Sequence, residues 1–320
     1  IFQRDVFIYI ILLFTSIFIT RILGPSEMGL WSILLLQPSY ATALGRPMTD
    51  VASVYFIARK ELDVSTAASA LLTISIFMWL LILMIFFIAQ GWLFDSPLRH
   101  FQDREWLVLV MLISALLDCL AMNYMYLMLA EEDIRGYNWY TVIRSTLAPL
   151  LGVLMLWAIG PEIEYLAWAV VIGTSAALLY GVTRVHRSHP YRFSIDTRAI
   201  RTLVSYGTKL YAGSLIGFAG VYLAGGLIAT YLTQDSVAFF QIALTRALLL
   251  GKLASALGTL LYPRIASFKE DVSGAIALFT TAIRVNILIT GTAAIAMVAI
   301  ADPAIRLLYG DEYQPVIVPF

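Results

Sequence analysis

The chain has 320 residues, of which 60% are hydrophobic and only 13% are charged. A soluble domain is nearer half apolar and a quarter charged, so the composition excludes a soluble globular protein, a disordered chain and a nucleic-acid binder. The 21 basic and 21 acidic residues cancel, so the net charge indicates no particular partner. The single cysteine, Cys119, excludes an internal disulfide and a cysteine-based metal cluster.

Long apolar windows predict membrane-spanning helices. A span needs about 20 mostly apolar residues, and lipid offers no partner to unpaired backbone groups, so such windows form helices. Nine windows meet this description: Val6–Leu23, Met28–Gly45, Thr66–Phe94, Trp106–Ala130, Tyr137–Ile159, Tyr165–Thr183, Thr202–Leu232, Val237–Tyr262 and Ile276–Ala301. A tenth begins near Pro315, and because both chain ends lie in apolar runs, we expect a longer parent sequence. The predicted fold class is an all-α integral membrane protein, a polytopic helical bundle.

The connections between these windows predict the orientation. With the N-terminus inside, the inner segments carry twelve Lys and Arg residues and the outer segments carry four. Positive residues concentrate on the cytoplasmic side, so we expect a multi-pass protein of the cytoplasmic (inner) membrane with a cytoplasmic N-terminus. The longest polar stretch, residues 184–201, predicts a cytoplasmic linker between a six-helix bundle (1–183) and a partial second bundle (202–320). Its two histidines have no carboxylate or thiol at ligand spacing, so we predict no metal site.

Two segments that lie 209 residues apart share a pattern. Ile22–Ile33 and Tyr231–Ile242 each contain the end of a span, a short polar turn, a small residue and the start of another span. The identities are few, so the pattern indicates rather than establishes two related halves, an arrangement common in transporters.

Charged residues inside the predicted spans are mostly basic. The five cations are Arg144, Lys209, Arg246, Lys252 and Arg284, whereas Asp118 is the one clear acid and Asp50 is at a span border. A charge near the bilayer centre costs roughly 2.5–3.5 kcal/mol on insertion scales, so such residues usually face a partner or a wet cavity. The excess of cations predicts a positive interior that suits an anionic group such as phosphate or pyrophosphate.

Several of these residues also allow a structural interpretation. Lys209 and Arg144 lie near the predicted starts of their helices, from which a long side chain can reach the interface. Asp118 could carry a proton or Na⁺, or it could pair with one of the buried cations. The seventh span contains six glycines, and the Gly213–Gly217 spacing predicts a close-packing face, while the same glycines would also make the helix easy to bend.

Four segments together resemble a known family. RILGPSEMGLWSI after the first span, SYGTKLYAGSLIGFAGVYLAGGLIATYL in the seventh, LYPRIASFKED after the eighth and LLYGDEYQP before the tenth resemble the polysaccharide export flippases of the Wzx type, within the multidrug/oligosaccharidyl-lipid/polysaccharide exporter superfamily. Many relatives carry an acid midway along the seventh span, where this chain has Ala224–Gly225, and members usually have twelve to fourteen spans. The resemblance implies two pseudo-symmetric helical bundles that form a V-shaped, MATE-like transporter.

The resemblance also implies a cationic central cavity, to which Arg144, Arg246, Lys252, Arg284 and, more weakly, Lys209 correspond in kind. The leading hypothesis is a flippase that moves a polyprenyl-pyrophosphate-linked oligosaccharide from the inner to the outer leaflet. Its partners would be the lipid-linked anionic glycan, membrane lipid and polysaccharide assembly proteins, with no cofactor. The alternatives are a cation-coupled multidrug or metabolite antiporter, which needs an acidic site, and a membrane enzyme, for which the sequence contains no HExxH, GxSxG or P-loop motif.

Overall fold

The protein folds into long helices joined by short connections. The computed structural model describes residues 2–95, 98–190, 193–248, 251 and 272–317. The α-helices in these ranges are α1 Phe2–Gly45, α2 Thr49–Ala58, α3 Val64–Asp95, α4 Glu105–Ala130, α5 Ile134–Ala158, α6 Ile163–Ser188, α7 Thr197–Tyr231, α8 over residues 234–248 and α9 Val272–Tyr309. Within the described ranges six helices, or seven if a bent pair forms one span, are long and apolar enough to cross a membrane. This confirms the prediction of an all-α polytopic membrane protein.

The first helix contains the first two predicted spans. It has 44 residues, about 66 Å at 1.5 Å per residue, which is roughly twice the thickness of a bilayer core. The helical geometry is interrupted at Gly24, whose φ of 73° is in the left-handed region that glycine tolerates, and Pro25 follows with no backbone N–H. The polar turn predicted between the two spans is therefore a sharp break inside α1.

A second break was not predicted. Helix α1 ends at Gly45 and α2 begins at Thr49, with Met48 at a φ of 57° between them. Residues 28–58 thus form one interrupted segment, where the sequence predicted a span that ends at Gly45 and then a cytoplasmic loop. The ten-residue α2 is too short and too polar at its start to be recognised as an apolar window.

Contacts divide the chain into two compact units, Ile1–Val237 and Ala238–Phe320. Helix α7 belongs to the first unit, because it packs along α1, α2 and α3. The sequence analysis predicted two helical bundles separated by the linker 184–201. That division concerns how the two halves of the sequence are arranged, and it stays a prediction.

The first unit contains two clusters of buried apolar side chains, one above the other. One cluster includes Leu98, Leu107 and Met111, and the other includes Leu71, Leu127 and Tyr140. Along α4 the first cluster extends to Ala115 and the second starts at Ala121, so a layer near the middle of the bundle separates them.

The second unit is described for residues 238–248, 251 and 272–317. Its aromatic contacts join α8 to the chain after α9, since the rings of Phe239 and Tyr313 lie 6.1 Å apart and those of Tyr309 and Tyr313 lie 6.0 Å apart. Helix α9 ends at Gly310, whose φ of 101° suits glycine, and a 3-10 helix over Asp311–Ile317 follows. The tenth span predicted from Pro315 onward extends outside the described residues.

Candidate functional site

The break between α1 and α2 lies deep in the first unit. A Cβ added to Gly207 of α7 would overlap the backbone carbonyl oxygen of Pro47. Gly207 is ten residues into α7, about 15 Å from its start. Interrupted helices form the binding sites of many transporters.

Helix α7 also satisfies the backbone groups that the break leaves unpaired. The last carbonyls of a helix have no partner within it, and the Tyr211 hydroxyl donates to the carbonyls of Ala43 and Leu44 at 3.0 Å each. In the other direction, the Tyr40 hydroxyl of α1 donates to the carbonyl of Tyr222 at 2.9 Å. That carbonyl lies next to a 42° bend in α7, between Gly220 and Tyr222.

Two ion pairs occupy the layer between the apolar clusters. At the break, the Arg46 guanidinium is bonded to the carboxylate of Asp50, which is only 1% exposed. Arg144 of α5 donates from Nε and Nη2 to the two carboxylate oxygens of Asp118 of α4, at 2.7 and 2.8 Å. This arrangement is bidentate, the strongest geometry for such a pair. Pairing of Asp118 with a buried cation, one of the two roles predicted for it, is therefore observed.

The depth of the second pair differs from the sequence-based expectation. Helix α5 begins at Ile134, so Arg144 is near the middle of that helix rather than near its start. Asp118 is likewise near the middle of α4. Arg144 cannot easily reach an interface from there, so its partner is what offsets the cost of a charge at this depth.

Two buried polar atoms in this layer are unsatisfied. Among the described residues, neither Arg46 Nε nor the Tyr140 hydroxyl has a hydrogen-bond partner, although Tyr140 is fully buried. The ring of Tyr126 faces the Arg46 guanidinium at 5.8 Å from its centroid. Buried polar groups are nearly always bonded, so these two unused donors are exceptions in the part of the chain that the structure describes.

The other predicted site residues lie elsewhere. Lys209 is exposed on α7 of the first unit. In the second unit, Arg246 is half-buried and is bonded to the Tyr309 hydroxyl. Its guanidinium carbon lies 5.6 Å from the centroid of the Tyr309 ring. Arg284 is exposed on α9. Lys252 lies outside the described residues.

The glycines of α7 that make close contacts are not those that the sequence pattern predicts. Added Cβ atoms at Gly213 and Gly217 would have no described atom within 4 Å, so the predicted packing face at this GxxxG spacing is wrong for the first unit. The close contacts occur instead at Gly207, against Pro47, and at Gly226, against the Tyr40 hydroxyl. Glycine spacing alone does not indicate which side of a helix meets a neighbour.

Sequence reasoning missed Arg46, Asp50 and Tyr140 as members of the site. Arg46 had been counted among the cytoplasmic loop residues; without it, the inner segments still carry eleven basic residues against four. A signal was available in the Gly45–Arg46–Pro47 triplet, because glycine and proline next to a charged residue can mark an interrupted span.

A broken helix with paired charges beside the break is typical of a multi-pass membrane transport protein. The model of the polysaccharide biosynthesis protein family matches residues 18–318, nearly the whole chain, and the chain belongs to this family. The match confirms the resemblance to polysaccharide exporters. It supports a polysaccharide-related export role, in a family of the transporter type. A comparison with curated proteins found no match.

Proposed function

We propose that the protein moves a lipid-linked anionic glycan, a polyprenyl-pyrophosphate-linked oligosaccharide, from the inner to the outer leaflet of the cytoplasmic membrane by alternating access. The observation that carries this proposal is the layer at the α1–α2 break, where two guanidinium groups and a tyrosine hydroxyl lie between the two apolar clusters of the first unit. Family membership supports a glycan as cargo, and the distribution of basic loop residues supports a cytoplasmic N-terminus.

The chemistry of the layer suits a phosphate oxygen. Arg46 Nε and the Tyr140 hydroxyl are unused donors, and Arg144 uses only Nε and Nη2 for Asp118. An arriving pyrophosphate could therefore bond to free N–H and O–H groups without first breaking either ion pair. The acids Asp50 and Asp118 would keep the empty layer nearly neutral, which limits the cost of holding it in lipid.

Transport in this scheme needs no covalent chemistry. The layer would hold the charged head group while the polyprenyl tail stays in the bilayer, and opening of the transporter to either side would exchange the head group between leaflets. The other predicted cations, Arg246, Lys252, Arg284 and Lys209, are proposed as further contacts for the same anionic group.

A binding titration tests the proposal. Full-length protein in lipid nanodiscs is titrated with a polyprenyl-pyrophosphate glycan, with its uncharged analogue and with a lipophilic cation, at low and high salt. We expect salt-sensitive preference for the pyrophosphate. Loss of a hydrogen bond to a charged group costs about 1.5–3 kcal/mol, so Arg46→Gln should weaken binding by roughly 10–100-fold. Arg198→Gln, at an exposed position of α7, is the matched control and should bind as the unchanged protein does.

Equal binding of the pyrophosphate and its uncharged analogue would overturn the proposal. Full transport by a variant in which Arg144, Arg246, Lys252 and Arg284 are all neutralised would overturn the assignment of these residues to the site.

A cation-coupled antiporter is the second candidate, and one observation favours it. The sequence suggested a single clear acid within the spans, whereas the layer contains two carboxylates, on Asp50 and Asp118. If the antiporter interpretation holds, the lipophilic cation binds in preference to the pyrophosphate, and Asp118→Asn abolishes its efflux.

A further inference from the structure

Three connections meet at the end of the first unit opposite the 184–201 linker. They are the break in α1 at Gly24, the segment 98–104 between α3 and α4, and residues 232–236, called the α7–α8 turn, which include the connection after α7 and the first residues of α8. The segment is anchored by Leu98 and Phe101, which are 0% and 1% exposed. A Cβ at Gly29 would overlap the backbone of Gln234, so α1 and the turn are in direct contact.

His100 joins these connections through a chain of hydrogen bonds. Its Nδ1 lies 2.9 Å from the side-chain nitrogen Nε2 of Gln234, and the Ser26 hydroxyl donates to Gln234 Oε1 at 2.8 Å. On the opposite side of the ring, Arg99 Nε donates to His100 Nε2 at 3.2 Å. Arg99 Nη2 also donates to the carbonyl of Leu232 at 3.2 Å.

This chain of bonds requires a neutral imidazole. Because Arg99 donates to Nε2, that nitrogen carries no proton, and the ring proton is on Nδ1. A ring with its proton on Nδ1 requires the Gln234 amide to be turned by 180° from this orientation, so that its oxygen accepts from Nδ1 and its NH₂ group donates to the Ser26 hydroxyl. Every polar group from Arg99 to Ser26 is then satisfied.

Protonation removes one of these bonds and adds a repulsion. A proton on Nε2 would face the Arg99 N–H, so a hydrogen bond is replaced by two like charges in contact. Burial and the Arg99 charge both hold the pKa of His100 below its ordinary value, as expected for a ring that is bonded in its neutral form. Arg99 is the charged neighbour that acts on His100 in this way, and Arg104 of the same segment is paired with Glu164 at 2.9 Å.

We propose that His100 is a protonation-controlled latch. Neutral His100 holds the α7–α8 turn against the α3–α4 segment and α1. Protonated His100 releases the turn. The latch is fully closed above the ordinary histidine pKa of about 6.5. As the pH falls below that value, the ratio of closed to open forms decreases by up to tenfold per pH unit, until the lowered pKa of the closed form is reached. The latch does not depend on which substrate the protein carries.

A distance measurement tests this proposal. Spin labels are attached to full-length protein at Trp106→Cys, at the start of α4, and at Leu232→Cys, whose carbonyl still accepts from Arg99. Both positions are exposed and uncharged, and the native Cys119 is buried. We expect one short, narrow distance at pH 8 and a growing longer population below about pH 6.

Substitutions identify the responsible group. His100→Gln can bond to both neighbours without titrating and should stay closed from pH 8 to pH 5, whereas His100→Lys should be open throughout. His189→Gln, at the far end of the unit beside Glu131, is the matched control and should keep the pH response. A distance that does not change with pH, or a pH response that persists in His100→Gln, would overturn the proposal.

Discussion

Asp118 of α4 and Arg144 of α5 form a two-bond ion pair near the middle of both helices. The pair lies between the two apolar clusters of the first unit, at the level of the α1–α2 break. The side chains of Asp118 and Arg144 are 18% and 34% exposed, so the pair is only partly buried. Asp118 therefore holds Arg144 in a defined position and offsets its charge.

The pair predicts a specific pattern of stabilities. Asp118→Asn should lower the free energy of unfolding by about 1–3 kcal/mol, less than the ~3–5 kcal/mol for a fully buried pair, because partial exposure screens the charge left on Arg144. The double variant Asp118→Asn/Arg144→Gln should recover part of that loss. Denaturation of the four proteins of this cycle in one detergent measures the coupling, and simple additivity of the two single changes would contradict the prediction.

The contact between α7 and the helix break predicts different effects of two Gly→Ala changes. Gly207→Ala should destabilise the protein by about 1–3 kcal/mol, because the new methyl group overlaps the Pro47 carbonyl. Gly213→Ala, in the same helix and with no described atom within 4 Å of the added Cβ, should be neutral or up to about 1 kcal/mol more stable. Melting temperatures of the two variants in the same detergent check this, and equal destabilisation would mean that α7 does not pack on the break.

The unsatisfied hydroxyl of Tyr140 predicts opposite changes in stability and binding. Tyr140→Phe removes a buried polar group that lacks a partner, so the unliganded protein should be unchanged or about 1 kcal/mol more stable. Binding of a pyrophosphate-linked lipid should weaken by roughly tenfold, since about 1.4 kcal/mol corresponds to that factor.

The matched control for Tyr140→Phe is the variant Tyr40→Phe. The Tyr40 hydroxyl is bonded to the Tyr222 carbonyl, so its removal should cost stability, about 1 kcal/mol, without a direct effect on the anion. If Tyr140→Phe instead destabilises the protein and leaves binding intact, the hydroxyl is structural.

The turn between α4 and α5 predicts an acid-dependent loss of stability. Arg184 donates to both carboxylate oxygens of Asp133, which also accepts from the Gly136 N–H as the N-cap of α5. These bonds, above all those from Arg184, hold the pKa of Asp133 below its usual range. The stabilisation is therefore complete above the ordinary pKa of about 3.9 and is lost as the pH falls below it.

Asp133→Asn tests this dependence, because asparagine keeps the capping ability but not the charge. We expect a loss of about 0.5–1 kcal/mol at pH 7, since both partners are partly exposed, and a shallower decrease in stability between pH 4.5 and pH 3. Glu132→Gln, an exposed neighbour, is the control and should follow the unchanged protein. Parallel decreases for Asp133→Asn and the unchanged protein would exclude Asp133 as the source.

The membrane class and the helices could be predicted from the sequence, and the reason is the solvent. Lipid forces an apolar window of sufficient length to satisfy its backbone internally, so Thr66–Phe94 or Trp106–Ala130 could form nothing but a helix. The break at Gly24 was predictable for a similar local reason, because glycine and proline in succession interrupt a helix wherever they occur. The family resemblance rested on local motifs of the same kind.

The tertiary structure alone decided how the charges are partnered. Five cations and Asp118 were visible in the sequence, but only the packing of α4 beside α5 determines that Asp118 meets Arg144 rather than another cation. Arg46 looked like a loop residue because the apolar window ends one residue earlier, and α7 packed on Pro47 is what indicates its depth. Local composition decides whether a segment enters the membrane, whereas pairing, depth and close glycine contacts depend on which helices become neighbours, and that is a property of the whole fold.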